Sequence, residues 1–155
     1  EGTIAIHKSD PGLMLGYLGA PDQTAQKYQG DWFLTGDQGV MGTDGQITYL
    51  GRNDDMMNAG GFRVSPIEVE QTLAKFPGIH AVGAAEVEVK PDVTVIAAFY
   101  TADSSLDEAA LALYAQDNMA RYKQPRLFIH LPELPMGANG KLLRRSLRAA
   151  YEAQR

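Results

Sequence analysis

The sequence predicts an α+β fold in which a small three-stranded sheet is flanked by helices and preceded by further β-strands. Residues 1–52 alternate short apolar runs with glycine turns, which is typical of β-structure. From residue 53 onward, helical and strand periodicities follow in the order helix, strand, strand, helix, strand, loop, helix. A hydrophobic content of 45% in 155 residues is enough for a packed core, so the chain is expected to fold.

The N-terminal part is predicted to be β-structure with one short helix. Residues 3–7 have the composition of a strand, and residues 21–27 can form a helix that begins with proline. The aromatic run 32–35 is a second strand, followed by a glycine turn. Asp44-Gly45 then predicts a hairpin turn leading into a strand at 46–50.

The C-terminal part begins with a helix whose start is marked clearly. Ser65, Pro66 and Glu68 form a capping box with proline at the first helical position, and Pro77-Gly78 ends the helix. The elements expected after it are strands at 82–89 and 93–100 joined by a turn at 90–92, a helix at 106–121, a strand at 126–131, a Pro/Gly loop at 132–140 and a basic helix at 142–154.

Composition excludes several classes of function. The net charge of −5 argues against a protein built mainly to bind nucleic acid or an anionic membrane. Because there is no cysteine, disulfides and thiolate metal sites are excluded, which is compatible with a reducing compartment; we expect a cytoplasmic protein. No apolar run reaches the roughly 18 residues of a membrane span. His7, His80 and His130 have no partners at ligand spacing, so we predict no metal site.

Two candidate sites lie before residue 56. Asp37 follows Gly36 directly, and a carboxylate held on such a turn can accept hydrogen bonds from both hydroxyls of a ribose. An ordinary turn is the alternative interpretation. Gly51 to Asp55 is either a solvated linker or a hinge that carries a ligand-binding Arg52.

Two more candidate sites follow. Gly60 and Gly61 precede Arg63, and paired glycines allow a narrow substrate to pass close to the backbone. Lys141 follows Gly140 on a loop before a helix. A lysine there opposes the helix macrodipole, so local stability does not explain its position; it can be delivered to an anion elsewhere.

Taken together, these residues resemble the C-terminal end of the acyl-adenylate-forming (AMP-binding) superfamily, and most closely its acyl- and aryl-CoA synthetases. The resemblance covers nearly the whole chain, and five motifs in order are highly specific. They are a Gly-Tyr segment at 12–17, "W-x-x-T-G-D" at 32–37, "G-R-x-D-D" at 51–55, "G-x-R-(I/V)" at 61–64 with "E-(I/V)-E" at 68–70, and "P-x-x-x-x-G-K" at 135–141.

The resemblance implies an acid–thiol ligase that acts in two steps. A carboxylic acid reacts with ATP, used with Mg, to give an acyl-adenylate and pyrophosphate, and CoA then displaces AMP. On this basis residues 1–52 are the tail of a large N-terminal domain, and residues 53–155 are a mobile C-terminal domain. The missing initiator methionine also suggests a fragment. The family's phosphate loop, magnesium ligand and acyl pocket would precede residue 1, so the fragment alone is expected to be inactive.

The resemblance also implies a role for each candidate residue. Asp37 and Arg52 would bind the ribose hydroxyls, Asp54 would be the hinge residue, and Arg63 would interact with phosphate. Lys141 would be the adenylation lysine. Gly60 and Gly61 would border the passage for the pantetheine arm of CoA.

The sequence alone leaves two alternatives open. Asn58 and the run 65–70 are more like CoA synthetases than peptide-synthetase domains, which load a carrier protein instead. A non-catalytic nucleotide-binding module with this fold is the second alternative. The turn at 90–92 is shorter than a loop that relatives often have, so CoA-nucleotide contacts from that loop are not carried over.

Overall fold

A computed structural model describes residues 1–153 of the chain. The last residues of the predicted helix 142–154, and of the predicted domain 53–155, lie outside this range. The chain divides into two compact units, one from Glu1 to Asp54 and one that begins at Asp55. Within residues 1–153, no helix is long and apolar enough to cross a membrane.

The first unit is an antiparallel sheet built around one long strand. Its elements are β1 (Gly2–His7), α1 (Pro21–Ala25), β2 (Tyr28–Gln29), β3 (Trp32–Met41) and β4 (Ile47–Arg52). β3 pairs with β1, and β2 and β4 pair with successive segments of β3. The predicted hairpin between β3 and β4 is confirmed, with Gly45 at φ +79° in its turn.

The prediction of a glycine turn after residue 35 was wrong, because β3 continues through it as a β-bulge. Leu34 pairs with Ala5 and Gln38 pairs with Thr3, so residues 35–37 together stand opposite one residue of β1. Gly36 adopts φ +83° inside the strand, a conformation that glycine reaches without strain. The bulge therefore turns the backbone locally without ending the strand.

The second unit confirms the predicted α+β arrangement. Its elements are β5 (Met57–Ala59), β6 (Phe62–Val64), α2 (Pro66–Leu73), β7 (Ala81–Lys90), β8 (Val93–Thr101), α3 (Glu108–Asn118), a 3₁₀ turn (Arg121–Lys123), β9 (Leu127–His130) and α4 (Arg144–Glu152). The sheet order is β7-β8-β9; β7 and β8 are antiparallel, whereas β8 and β9 are parallel and connected through α3.

Helices cover the two faces of this sheet. Leu73 of α2 and Ala115 of α3 pack with Ile96 on one face. Leu147 of α4 packs with Phe99 on the other face. Because side chains alternate along a strand, β8 supplies residues to the hydrophobic clusters on both faces of the sheet. The middle of β8 is therefore buried.

Several details differ from the sequence prediction. Helix α2, which was predicted to end at Pro77-Gly78, ends at Leu73. Strands β5 and β6 were not predicted, because runs of so few residues carry no measurable periodicity. The helix predicted at 106–121 is shorter at both ends. Asp107 caps α3 by accepting a hydrogen bond from the Ala109 amide, and Met119 returns to extended backbone.

Candidate functional site

Asp37 and Arg52 lie opposite each other on β3 and β4 and form an ion pair. The register of the hairpin pairs the two residues directly, and Arg52 Nη1 lies 3.1 Å from Asp37 Oδ1. The same Nη1 donates to the Thr35 carbonyl at 3.0 Å. Arg52 Nε also lies 3.6 Å from Asp54 Oδ1, so one guanidinium spans the bulge and the end of the first unit.

The bulge at Gly36 makes room for this guanidinium. A Cβ built on Gly36 would lie 2.9 Å from Arg52 Nη2, which is closer than real Cβ contacts. Partial burial lowers the pKa of Arg52, but the hydrogen bond and charge of Asp37 and the charge of Asp54 outweigh it, so the pKa is raised. Arg52 is therefore a permanent cation held in one place.

The pair leaves hydrogen-bonding capacity unused. Asp37 accepts from Arg52 through Oδ1, and within residues 1–153 no hydrogen bond occupies its Oδ2. The Asp37 side chain is 30% exposed and that of Arg52 is 46% exposed. A polar ligand can therefore reach an oriented acceptor and an oriented donor that lie side by side.

Gly60 and Gly61 form the turn of the β5–β6 hairpin. Their φ angles of +58° and +87° fit a two-residue type I′ turn, which requires positive φ at both positions. A Cβ built on either glycine meets no atom within 4 Å, so the tip of the hairpin faces open space. Arg63 is exposed on β6, where it pairs in register with Asn58.

Several contacts attach the hairpin to the rest of the second unit, among them the fully buried Met57 and Val64 in the core that contains Ile96. At its base, the Asn58 amide donates to Glu86 Oε2 of β7 at 2.7 Å. Beside its turn, the Phe62 ring stacks on Tyr122 of the 3₁₀ turn, with ring centroids 4.7 Å apart. These contacts hold a short hairpin that would be marginal by itself.

A cleft of about 450 Å³ lies beside the hairpin. Gly60, Phe62 and Tyr122 line it together with Arg121 and Arg126. These aromatic and arginine residues were not predicted as site residues from the sequence. The available signal was the clustering of basic residues between 121 and 126 in a chain of net negative charge.

Lys141 lies on a loop that closes on itself. The Gly137 amide donates to the Lys141 carbonyl at 2.7 Å, and the Leu143 amide donates to the Pro135 carbonyl at 2.9 Å. Gly140 adopts φ +71° in the turn between them. The Lys141 side chain is exposed and makes no ion pair with any residue in the described range 1–153.

The residue after Lys141 packs closely on the sheet. A Cβ built on Gly83 of β7 would lie 2.7 Å from Leu142 Cδ2 and 3.0 Å from Leu147 Cδ1. Gly83 therefore permits the loop and α4 to approach the strand closely. The helix predicted from residue 142 begins at Arg144 instead, so Lys141 belongs to the loop and not to the helix start.

The structure thus places the predicted residues on three local structures. Asp37, Arg52 and Asp54 are together at the end of the first unit. Gly60, Gly61 and Arg63 share the hairpin of the second unit. Lys141 is on the loop before α4. In the described range 1–153, no group of three or more His, Asp or Glu residues could hold a metal ion.

This fold and this order of residues are those of the C-terminal part of AMP-binding acyl- and aryl-CoA ligases, and the chain is homologous to that part. It is 39% identical over 149 residues to the 2-succinylbenzoate–CoA ligase of Geobacillus kaustophilus, covering 95% of this chain and 30% of the relative. It is 40% identical over 161 residues to the mitochondrial acyl-coenzyme A synthetase ACSM5 of Mus musculus, covering 96% and 27%. No protein-family model matches the chain.

A solved structure agrees with these relatives. The o-succinylbenzoate CoA synthetase of Bacillus subtilis, in complex with its acyl-adenylate intermediate, superimposes with a TM-score of 0.87 and 30% identity. The match covers 95% of this chain and 30% of that one. Other structures of the same synthetase contain AMP, or ATP and a magnesium ion. The chain spans less than a third of the length of the curated relatives named above.

Proposed function

We propose that this chain is the C-terminal part of an ATP-dependent carboxylate–CoA ligase. The carboxylate of an acid attacks the α-phosphate of ATP and releases pyrophosphate; the CoA thiol then attacks the acyl carbon, and AMP leaves. Residues 1–52 are the tail of the large domain, and residues 53–155 are the domain that moves between the two steps. The observation that carries the proposal is the closed loop that presents the unpaired Lys141.

Lys141 stabilises the adenylation transition state. Attack by the acid concentrates negative charge between its carboxylate and the α-phosphate, and a point cation placed there lowers the barrier if water is excluded. The Gly140 turn and the bonds that close the loop hold the backbone of Lys141, so only its side chain has to be ordered on binding.

Asp37 and Arg52 hold the ribose of the nucleotide. Their ion pair fixes the carboxylate, and its free Oδ2 accepts a hydrogen bond from a ribose hydroxyl. Arg52 carries further N–H donors for a hydroxyl oxygen. Arg63, exposed beside the Gly60-Gly61 turn, interacts with phosphate.

The β5–β6 hairpin serves the second step. Gly60 and Gly61 present bare backbone next to open space, which leaves a path for the pantetheine arm of CoA. Apolar residues and two arginines line the neighbouring cleft, which suits a ligand that carries phosphates. Replacement of the Lys141 loop by this hairpin at the reacting centre requires rotation about Asp54.

Magnesium accompanies ATP in this proposal, and its ligand belongs to the domain that precedes this chain. The partners of the chain are therefore its own N-terminal domain, ATP, CoA and a small carboxylic acid. We place the enzyme in the cytoplasm.

The test separates the two half-reactions in the full-length enzyme. Lys141→Ala is expected to lower acid-dependent ATP–pyrophosphate exchange by at least about a hundredfold, because the transition state loses its point cation. Formation of acyl-CoA from supplied acyl-AMP should stay within about twofold of wild type. Equal losses in the two assays would contradict the assigned role.

The same assays separate the alternatives. A domain that loads a carrier protein would retain exchange and transfer its acyl group to a phosphopantetheinyl protein, but not to free CoA. A non-catalytic nucleotide-binding module would show no acid-dependent exchange with any acid. Aliphatic and aromatic acids, screened by pyrophosphate release, would identify the substrate class.

A further inference from the structure

Helix α4 begins with an arginine whose position local stability does not explain. Arg144 is the first helical residue, where a cation opposes the macrodipole, and the N-cap residue Leu143 provides no side-chain cap. Even so, the Arg144 side chain is only 13% exposed. The reason for its placement must therefore lie in tertiary contacts.

Arg144 makes an ion pair with Glu70 of α2, in which one guanidinium nitrogen contacts both carboxylate oxygens. Its Nη2 donates to Glu70 Oε1 at 2.9 Å and to Oε2 at 3.0 Å, and its Nη1 lies 3.4 Å from Asp55 Oδ2. Glu70 Oε1 also accepts from the Ala84 amide of β7 at 2.9 Å. We call Arg144, Glu70 and Asp55 the Arg144 network.

Burial makes this network sensitive to loss of either partner. Desolvation raises the pKa of Glu70, although the Ala84 amide and Arg144 oppose the rise. Removing Arg144 would leave a desolvated carboxylate without its cation, and removing Glu70 would leave a desolvated guanidinium.

The network joins three places that matter to the proposed reaction. Asp55 is the first residue of the second unit and follows the proposed hinge residue directly. Glu70 is in α2, and Ala84, to which it bonds, is in β7. Arg144 follows Lys141 by three positions, and Leu142 between them packs on Gly83.

We propose that Arg144 and Glu70 are positioning residues, which fix the Lys141 loop to α2, β7 and the segment after the hinge. Rotation about the hinge then carries Lys141 as part of one rigid body. The lysine reaches the α-phosphate without a separate movement of its loop. This inference rests on the proposed role of Lys141. A misplacement of about 1 Å at a reacting centre can lower a rate a hundredfold, so a loosened loop should affect adenylation first.

The experiment compares Arg144→Met with wild type in the full-length enzyme. The kcat of ATP–pyrophosphate exchange is expected to fall at least about tenfold with less than a twofold change in the KM for ATP, because the lysine is misplaced while ribose binding is intact. Thioester formation from supplied acyl-AMP should change less than twofold. Amide hydrogen exchange at Gly137, Gly140 and Leu143 should become faster.

Two further variants separate positioning from general stability. Glu68 is on the same helix as Glu70, but its ion pair with Lys123 lies away from the Lys141 loop. Glu68→Gln breaks this ion pair and should change neither half-reaction. The double variant Glu70→Met/Arg144→Met replaces a buried ion pair with apolar side chains of similar length, so it can fold as stably as wild type. It should still show the loss of exchange and the faster amide exchange.

These experiments test the proposed function and the positioning role of Arg144 and Glu70 separately. If Lys141→Ala abolishes pyrophosphate exchange but the folded Arg144→Met and double variants keep it, the positioning role is overturned and the proposed function stands. Equal losses in both half-reactions would mean that the network only stabilises the fold, which also overturns the inference. If Lys141→Ala keeps exchange, the proposed function fails and the catalytic positioning inference fails with it. If Arg144→Met does not fold, Glu70→Gln, which keeps an acceptor for Ala84, is judged by the same criteria.

Discussion

At Gly36 the absence of a side chain decides how Arg52 is placed. The sequence predicted that Asp37 and Arg52 act on the same ligand but did not predict that they bind each other. The structure pairs them across β3 and β4, with the Arg52 guanidinium in the space that a Cβ on residue 36 would fill. Adjacent strands bring together residues that are distant along the chain, which sequence spacing alone does not reveal.

Gly36→Ala is therefore expected to disturb both the backbone and the ion pair. The φ of +83° should destabilise the fold by about 1–2 kcal/mol, and the new Cβ should push Arg52 away from Asp37. We expect the KM for ATP in pyrophosphate exchange to rise at least about fivefold, measured together with chemical denaturation.

Gly45→Ala is the matched control for this variant. Gly45 has nearly the same φ, +79°, but a Cβ there meets no atom within 4 Å. It should show a similar loss of stability with the KM for ATP unchanged. If the KM for ATP rises in the control alone, or in neither variant, Arg52 does not contribute to nucleotide binding.

At the scale of elements, the Gly60-Gly61 motif was recognised in the sequence although the β5–β6 hairpin that contains it was not predicted. Gly60-Gly61 was singled out for its bare backbone, and the structure adds that both glycines are required by a type I′ turn. The hairpin depends on Phe62 against Tyr122 and on Asn58 bonded to Glu86, contacts made with distant parts of the chain. Turn geometry and substrate passage therefore both favour glycine here. A test needs a variant that keeps the turn but fills the space beside it.

Gly60→Asn is such a variant. Asparagine tolerates the left-handed conformation and is favoured at the first position of this turn, so the stability of the fold should change by less than about 0.5 kcal/mol. Its side chain enters the open space at the tip. We expect thioester formation from acyl-AMP to fall about tenfold while pyrophosphate exchange is unchanged.

Gly61→Leu provides the comparison, because it combines strain at φ +87° with bulk. It should lower both the stability of the fold and thioester formation. Normal turnover of CoA in Gly60→Asn would mean that the glycines serve the turn alone and that the thiol does not pass there.

At the scale of the whole molecule, the division between the two units falls after Asp54. The sequence predicted a boundary between residues 52 and 53 with Asp54 as the hinge, and the domain roles and the hinge remain predictions. The division lies between two anchored residues. Arg52 bonds to Thr35 and Asp37 in the first unit, and Asp55 lies beside Arg144 in the second. Asn53 is also bonded to the first unit, because its amide donates to the Gly36 carbonyl at 2.8 Å.

Asp54→Pro tests the pivot. Proline fixes φ near −65° and restricts the preceding residue, so a hinge there should lose part of its rotation. We expect one half-reaction to fall at least about tenfold more than the other, measured by pyrophosphate exchange and by thioester formation from acyl-AMP. Asp54→Ala, which removes only the side chain near Arg52, should affect the two steps equally. Unchanged rates in Asp54→Pro would place the pivot elsewhere.

Much of the fold could be predicted because its signals are local. The Ser65 cap, the proline at the first position of α2 and the hairpin turn at Gly45 each depend on neighbouring residues, and the structure confirms all three. The α+β order also follows from local periodicity. The bulge at Gly36 was missed because a glycine with positive φ fits a turn and a bulge equally well.

The sequence by itself determined the longer elements, their order and the homology to the C-terminal part of CoA ligases, because propensity and motif spacing are properties of neighbouring residues. Only the tertiary structure decided which charged groups meet. Glu70 and Arg144 are 74 positions apart, and no periodicity relates them. They meet because α2 and α4 both pack against β7, where a buried guanidinium requires a buried carboxylate. The position of the Lys141 loop depends on that packing.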